Sequence, residues 1–231
     1  MLRVDGITAG YGPVTILRDL SFKAEAGQVT CIMGRNGVGK STLMRAIIGL
    51  VPVQSGQITL GKVALHALPP HQVPVQGVAY VPQGRRLFGP LTVAENIEIG
   101  LLARKKGPQR RDYVLDLFPR LRERLDQVAS TLSGGEQQML AIARALCLEP
   151  EVMLLDEPSE GLQPSMITLI HETILRLRES GIAIILVEQR VDSVLRVADH
   201  VAFMANGRVE TVVPRSDLAP DSMLFRDYLG V

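Results

Sequence analysis

The sequence is short of cysteine, of charge imbalance and of long apolar runs, and each shortage excludes something. Its two cysteines, Cys31 and Cys147, sit in apolar surroundings without metal-ligand spacing. They read as reduced core residues of a cytosolic protein, not as a disulfide framework or a zinc site. Lysine and arginine total 25 against 24 aspartate and glutamate. That balance signals neither a nucleic-acid surface nor an acidic tail, so no nucleic-acid partner is expected. The longest apolar runs, such as IAIILV from Ile182 to Val187, fall far below the ~20 residues that span a bilayer. The opening MLRVDGITAGYG is too polar for a signal peptide. Any service to a membrane is therefore expected to run through a partner protein. There is no internal repeat and no low-complexity segment, and 231 residues fit one domain near the upper end of what a single core supports.

What the sequence does contain is a succession of short β-like runs: VTCIMG, VAYVP near Val78, VMLLD near Val152, IAIILVE near Ile182 and VAFMANG near Val201. Helical patterns lie between several of them. KSTLMRAIIG stops at Gly49, and SMITLIHETILRLRES carries Ile167, Ile170, Ile174 and Leu177 on one face. Continuous apolar strands are buried on both sides, which predicts an α/β fold with a mostly parallel sheet covered by helices. The middle is charged, helix-like and without a convincing strand. We expect residues 84–150 to form a helical subdomain inserted into an α/β core made of 1–83 and 151–231.

The run GRNGVGKST, Gly34 to Thr42, fits the spacing G-x-x-x-x-G-K-[S/T] through Gly34, Gly39, Lys40 and Ser41. It follows an apolar strand and opens a helix, the context that makes such a match credible. Backbone N–H groups of Arg35, Asn36, Gly37, Val38 and Gly39 would turn inward around phosphates. The helix N-terminus adds partial positive charge, Lys40 would reach the β- and γ-phosphates, and Ser41 offers a hydroxyl to Mg²⁺. In VMLLDEP, Asp156 emerges at the end of a buried strand, where it can hold the same metal ion. Glu157, one residue on, is the candidate to polarise an attacking water. Hydrolysis is therefore expected. No N-K-x-D run is present to read guanine, and Glu157 beside the metal aspartate favours water over a second substrate as acceptor.

A second glycine turn, LSGGEQQM from Leu132 to Met139, follows about ninety residues later. Ser133 can cap a helix, with Glu136 closing a capping box, and Met139, Ile142, Ala143 and Leu146 give that helix an apolar face. Capping does not require Gly134 and Gly135. The two glycines would let backbone N–H groups approach an anion at a positive helix end. Since the chain's own phosphates already have a helix N-terminus, this turn is expected to serve another molecule's nucleotide in a head-to-tail dimer.

Together, GRNGVGKST, VPQG, LSGGEQQ and VMLLDEP, in that order, resemble the nucleotide-binding subunit of ABC transporters, across essentially the whole chain. The resemblance implies a P-loop NTPase cassette with an N-terminal antiparallel β part, ATP and Mg²⁺ as ligands, and Tyr11 stacking on adenine. It also implies that Gln83 touches Mg²⁺ and the membrane partner, and that SEGLQP, Ser159 to Pro164, contacts the opposite subunit. The compact length, the short tail, VPQGRRLF, SEGLQPS and LVEQ resemble the small ATPase of importers for branched-chain amino acids, urea and short amides; within that group GRNGVGKST, VPQG and EGLQPS look closest to the urea type, with the amino-acid type next. Such a subunit pairs with a homologous ATPase, or a second copy, on the cytoplasmic face of the inner membrane. It lies beneath integral-membrane permeases, and a periplasmic solute-binding protein acts indirectly. The other class to consider is a soluble ABC ATPase of repair or translation, but those carry long coiled coils or two cassettes, and neither is seen here. One departure stands out. Most members place a histidine two residues past the strand's final valine, whereas the aligned residue here is Gln189, which would take over that catalytic position.

Overall fold

The computed structural model describes residues 1–104 and 107–230. In chain order its elements are β1 (Leu2–Tyr11), β2 (Val14–Ala24), β3 (Val29–Met33), α1 (Lys40–Ile47), β4 (Val53–Leu60), β5 (Val63–Ala64), β6 (Val78–Val81), α2 (Val93–Leu102), α3 (Pro108–Leu117), α4 (Pro119–Arg122), α5 (Gly134–Leu146), β7 (Val152–Asp156), α6 (Pro164–Glu179), β8 (Ala183–Val187), α7 (Val191–Val197), β9 (His200–Ala205), β10 (Arg208–Pro214) and α8 (Met223–Leu229).

All five apolar runs become strands of one six-stranded sheet, ordered β10-β9-β3-β8-β7-β6. β9, β3, β8, β7 and β6 run parallel to their neighbours, and β10 closes one edge antiparallel to β9. Strict alternation along a strand sends its side chains to opposite faces, and here the two faces feed two cores. Val152 and Leu154 of β7 face the cluster that includes α1 and the second sheet, while Met153 and Leu155 face the cluster that includes the helices. β8 divides the same way, with Ile185 and Val187 on one side and Ile184 and Leu186 on the other. Continuous burial and hydrophobic sequence thus have one cause: both faces are covered.

The second sheet is antiparallel, ordered β2-β1-β4-β5. Its strands do not stand out as apolar runs, because β2 alternates buried and exposed residues. The β1 register with β2 also slips between Val4 and Ile7, Ile7 and Ala9, and Ala9 and Gly10. Such irregularities bend a strand and break its period-2 signal. β10 is half-exposed along its whole length, for the same loss of signal.

Between residues 84 and 150 the elements are α2 to α5. α2 begins with Thr92, whose hydroxyl accepts from the Glu95 N–H while the Glu95 side chain accepts from the Thr92 N–H. Val93, Ile97 and Leu101 of α2, Val114 and Leu115 of α3 and Leu121 of α4 share one apolar cluster with Met153, Leu155 and Ile184 of the sheet. α5 packs on both α2 and β6, so the helices and the sheet share one core. Among the described residues, no helix is long and apolar enough to cross a membrane.

Candidate active site

β3 ends at Met33 and α1 starts at Lys40, so the connecting loop has to turn sharply at the carboxyl end of a buried strand. Gly39 makes that turn with φ +109°, and a Cβ there would lie 2.9 Å from Leu17 Cδ2. Both backbone conformation and packing therefore demand glycine. Lys40 is buried, and its Nζ donates to the carbonyl oxygens of Gly34 (2.7 Å) and Arg35 (3.0 Å). Burial lowers the Lys40 pKa, against the nearby charges of Glu157 and Asp156. Among the described residues this cation makes no ion pair. A buried charge held only by carbonyls is built to meet an anion.

Asp156 ends β7 and is buried. Its Oδ1 accepts from Ser41 Oγ (3.3 Å) and its Oδ2 from the Tyr80 hydroxyl (3.1 Å). Burial raises the Asp156 pKa, while the Ser41 and Tyr80 hydrogen bonds and the charges of Arg45 and Lys40 oppose that rise. The same burial, with the Asp156 charge beside it, pushes the Tyr80 phenol well above its ordinary value. Tyr80 therefore stays a hydrogen-bond donor to this carboxylate. One carboxylate with a hydroxyl beside a phosphate-binding lysine fits Mg²⁺, which usually takes one or two carboxylates plus substrate phosphates and waters. Among the described residues, no cluster of three or more His, Cys, Asp or Glu could form an all-protein metal cage.

Glu157 follows in a left-handed conformation, φ +49°, with its N–H donating to the Val187 carbonyl of β8 (3.0 Å). Its Oε1 accepts from Gln189 Nε2 at 2.6 Å. Gln189 is posed in turn by Glu188, a buried carboxylate that accepts from the N–H groups of Gln189 (2.9 Å) and Arg190 (3.3 Å) and from the Ser159 hydroxyl. Gln83 Nε2 donates to Glu160 Oε2 at 2.9 Å. Lys40, Ser41, Thr42, Gln83, Glu157 and Gln189 line one cavity of about 380 Å³, together with Asn36, Gly37 and Gly39. Arg35 and Val38 border an adjoining cavity of about 620 Å³.

Two groups of sequence-expected residues lie apart. Tyr11 lines neither cavity; it is 44% exposed, and its hydroxyl accepts from Arg45 Nη1 at 3.1 Å. Ser133, Gly134, Gly135 and Glu136 also line neither. Ser133 caps α5, its Oγ accepting from the Glu136 N–H (3.3 Å) while Glu136 Oε2 accepts from the Ser133 N–H (3.0 Å). Four further participants stand outside the expected site residues: Tyr80 and Glu188 as supports, and Ile16 and Glu160 in the wall, Glu160 lying within the SEGLQP segment. Tyr80 is the one hydrogen-bonding side chain in an otherwise aliphatic buried strand, which is the signal that could have found it.

The fold and the site define a P-loop NTPase of the ATP-binding cassette type. A family model for ABC transporters matches residues 17–160. The chain is 43% identical, over all of both chains, to the high-affinity branched-chain amino acid transport ATP-binding protein BraG of Pseudomonas aeruginosa. It is 41% identical to the probable branched-chain amino acid transport ATP-binding protein LivF of Archaeoglobus fulgidus, covering 90% of each. Among solved structures, an ATP-binding subunit of an ABC transporter superposes with TM-score 0.84 at 29% identity, covering 94% of this chain and 91% of that one. The ADP conformation of MJ1267, an ATP-binding cassette of an ABC transporter, superposes with TM-score 0.86 at 26% identity, covering 97% and 96%. The chain belongs to the ABC transporter family, and it is an ATPase of that family.

Proposed function

We propose that this chain is the ATP-hydrolysing subunit of an importer for branched-chain amino acids, working as a head-to-tail dimer on the cytoplasmic face of a membrane beneath permease subunits. Residues 84–150 act as its helical subdomain, carried on the α/β core of 1–83 and 151–231. The observation that carries the dimeric reading is the separation of the two glycine turns. The LSGGE turn opens a helix with two glycines that its capping box does not require, yet it stands outside the cavity that Lys40 builds, so its anion is best supplied by another molecule.

In this reading the inward N–H groups from Gly34 to Thr42 and the Lys40 charge bind the triphosphate, and Tyr11 stacks on adenine. Ser41, Asp156 and Gln83 hold Mg²⁺, which when bound supplies charge neutralisation along the phosphates. Glu157 takes the proton of the attacking water, and Gln189, already bonded to Glu157, holds that carboxylate and the water in place. Ser133, Gly134, Gly135 and Glu136 of one subunit close over the nucleotide of the other. The solute class rests on the names of the relatives alone, because an ATPase subunit does not touch the solute. Of the two classes the sequence left open, those names support branched-chain amino acids; they do not mention urea.

Glu157→Gln tests the core of this reading. We expect it to bind ATP, to lose turnover by on the order of 10²–10⁴ and to accumulate an ATP-dependent dimer on size-exclusion chromatography. Lys40→Ala in the same assay should lose tight ATP binding and form no dimer. A Glu157→Gln protein that turns over normally would remove Glu157 as the base. For the solute, leucine-loaded binding protein should stimulate the ATPase activity of the assembled transporter, and urea should not.

A further inference from the structure

Gly134 and Gly135 open α5 with ordinary helical backbone; neither has positive φ. Alanine suits helix better than glycine, so conformation does not explain the pair. Space does. A Cβ on Gly135 would lie 2.3 Å from Met166 Cε, 2.6 Å from its Cγ and 2.9 Å from its Sδ. A Cβ on Gly134 would lie 3.0 Å from Arg85 Nη2 and 3.4 Å from Cζ and Nη1. The turn is gripped from two sides, by a thioether and by a guanidinium.

Both grips lead back to the nucleotide cavity. Met166 stands in the first turn of α6, six residues after Glu160, and Arg85 stands two residues after Gln83; Glu160 and Gln83 line the cavity and are bonded to each other. Arg85 holds a left-handed conformation, φ +67°, which a non-glycine residue adopts only when its surroundings impose it. Its Nη1 donates to Gln137 Oε1 (3.0 Å), and Gln137 Nε2 donates onward to the carbonyls of Leu132 (3.2 Å) and Ala129 (3.3 Å). Among the described residues Arg85 makes no ion pair, so its planar fork serves here as a spacer and donor.

We propose that Arg85 and Met166 are positioning residues that set the pose of the LSGGE turn from the two loops bordering the chain's own nucleotide cavity. A Cβ at either glycine would press on these side chains and shift them. Their positioning role rests on the proposed function, in which the turn must come within hydrogen-bonding reach of a second molecule's nucleotide. Because both side chains stand on the chain segments that carry Gln83 and Glu160, the occupancy of one cavity would tune what the chain offers to the other.

The decisive experiment is a second-site rescue. Gly135→Ala is expected to lower ATP turnover by about 10²-fold, the scale of an ångström-level misplacement, while the ATP affinity of the monomer and its circular dichroism stay at wild-type values. Gly135→Ala with Met166→Ala is expected to recover turnover to within about threefold of Met166→Ala alone. If Gly135→Ala does not fold but the double variant folds and turns over, the contact is equally supported. A double variant as impaired as the single one overturns the proposal, since glycine would then be required by something outside this chain. So would a Gly135→Ala protein with full activity. For Arg85, the alanine and lysine variants should be equally impaired, because lysine keeps the charge and loses the fork; restoration by lysine would make Arg85 a charge acting on a phosphate and overturn its positioning role. The rescue is read in turnover, so absence of an ATP-bound dimer in Glu157→Gln would count against the head-to-tail reading alone.

Discussion

At the scale of single residues, the unusual feature is Gln189, a glutamine where the family resemblance implies a histidine. Gln189 reaches Glu157 at 2.6 Å, and Glu188 fixes its backbone by two N–H contacts. A neutral amide donating to a carboxylate orients it without adding charge, and the same amide can still accept from a water. None of the four histidines lines the cavity. Gln189→Ala should therefore lower turnover while ATP binding persists, and the wild-type rate should show no histidine-like titration between about pH 6 and 7.5. An unchanged rate, measured with the homologous partner present, would retire Gln189 as catalytic. How legible these residues were differs by kind. Lys40 with Ser41 and Asp156 with Glu157 are two adjacent pairs, each directly after an apolar strand or its glycine turn, so the local pattern displays them. Tyr80 and Glu188 work through partners 76 and 29 residues away, and no spacing rule reaches that far.

At the scale of elements, α6 shows both what periodicity reveals and what it hides. Ile167, Ile170, Ile174 and Leu177 are all buried, as a 3.6-residue repeat requires. The same face also buries His171, which is apolar by position and polar by chemistry, and its Nδ1 has no hydrogen-bond partner among the described residues. Burial lowers the His171 pKa, the charges of Arg196 and Arg190 lower it further, and Glu188 and Asp192 pull the other way. The unfolded chain then binds its proton first as pH falls. Stability is full above the unfolded value of about 6.5 and is lost progressively below it, down to the depressed folded value. His171→Gln should flatten that slope, read as a smaller drop in the denaturation midpoint between pH 7 and pH 5.5 than in the wild type. The antiparallel strands were legible only through family resemblance. β1 is interrupted by register shifts and β2 is half-exposed, so neither offers the continuous apolar signal that marked the parallel strands.

At the scale of the whole molecule, what remains is how the ATPase would meet the proposed permease subunits, and the loop after Gln83 is the place to look. Leu87 packs against the helical core and is half-buried, so its apolar character is accounted for within the chain. Phe88 is not accounted for in this way: it is 47% exposed, with the Arg144 guanidinium 5.1 Å from its ring centroid. It borders a cavity of about 290 Å³ whose floor includes Gly100, Ala141, Ala145 and Leu148. An exposed aromatic at the rim of a small-residue cleft is a shape that accepts a helix or loop from outside. Arg144 also ties this rim to the preceding loop, since its Nη2 donates to the Arg86 carbonyl at 2.7 Å. Arg85 itself lines the cleft, and Phe88 stands five residues after Gln83, on the loop that starts at the nucleotide cavity. A photo-crosslinking residue at position 88 in the assembled transporter should form adducts with a permease subunit, whereas one at position 87 should not. Adducts only with the other ATPase subunit, or equal yields at both positions, would show that the membrane protein docks elsewhere.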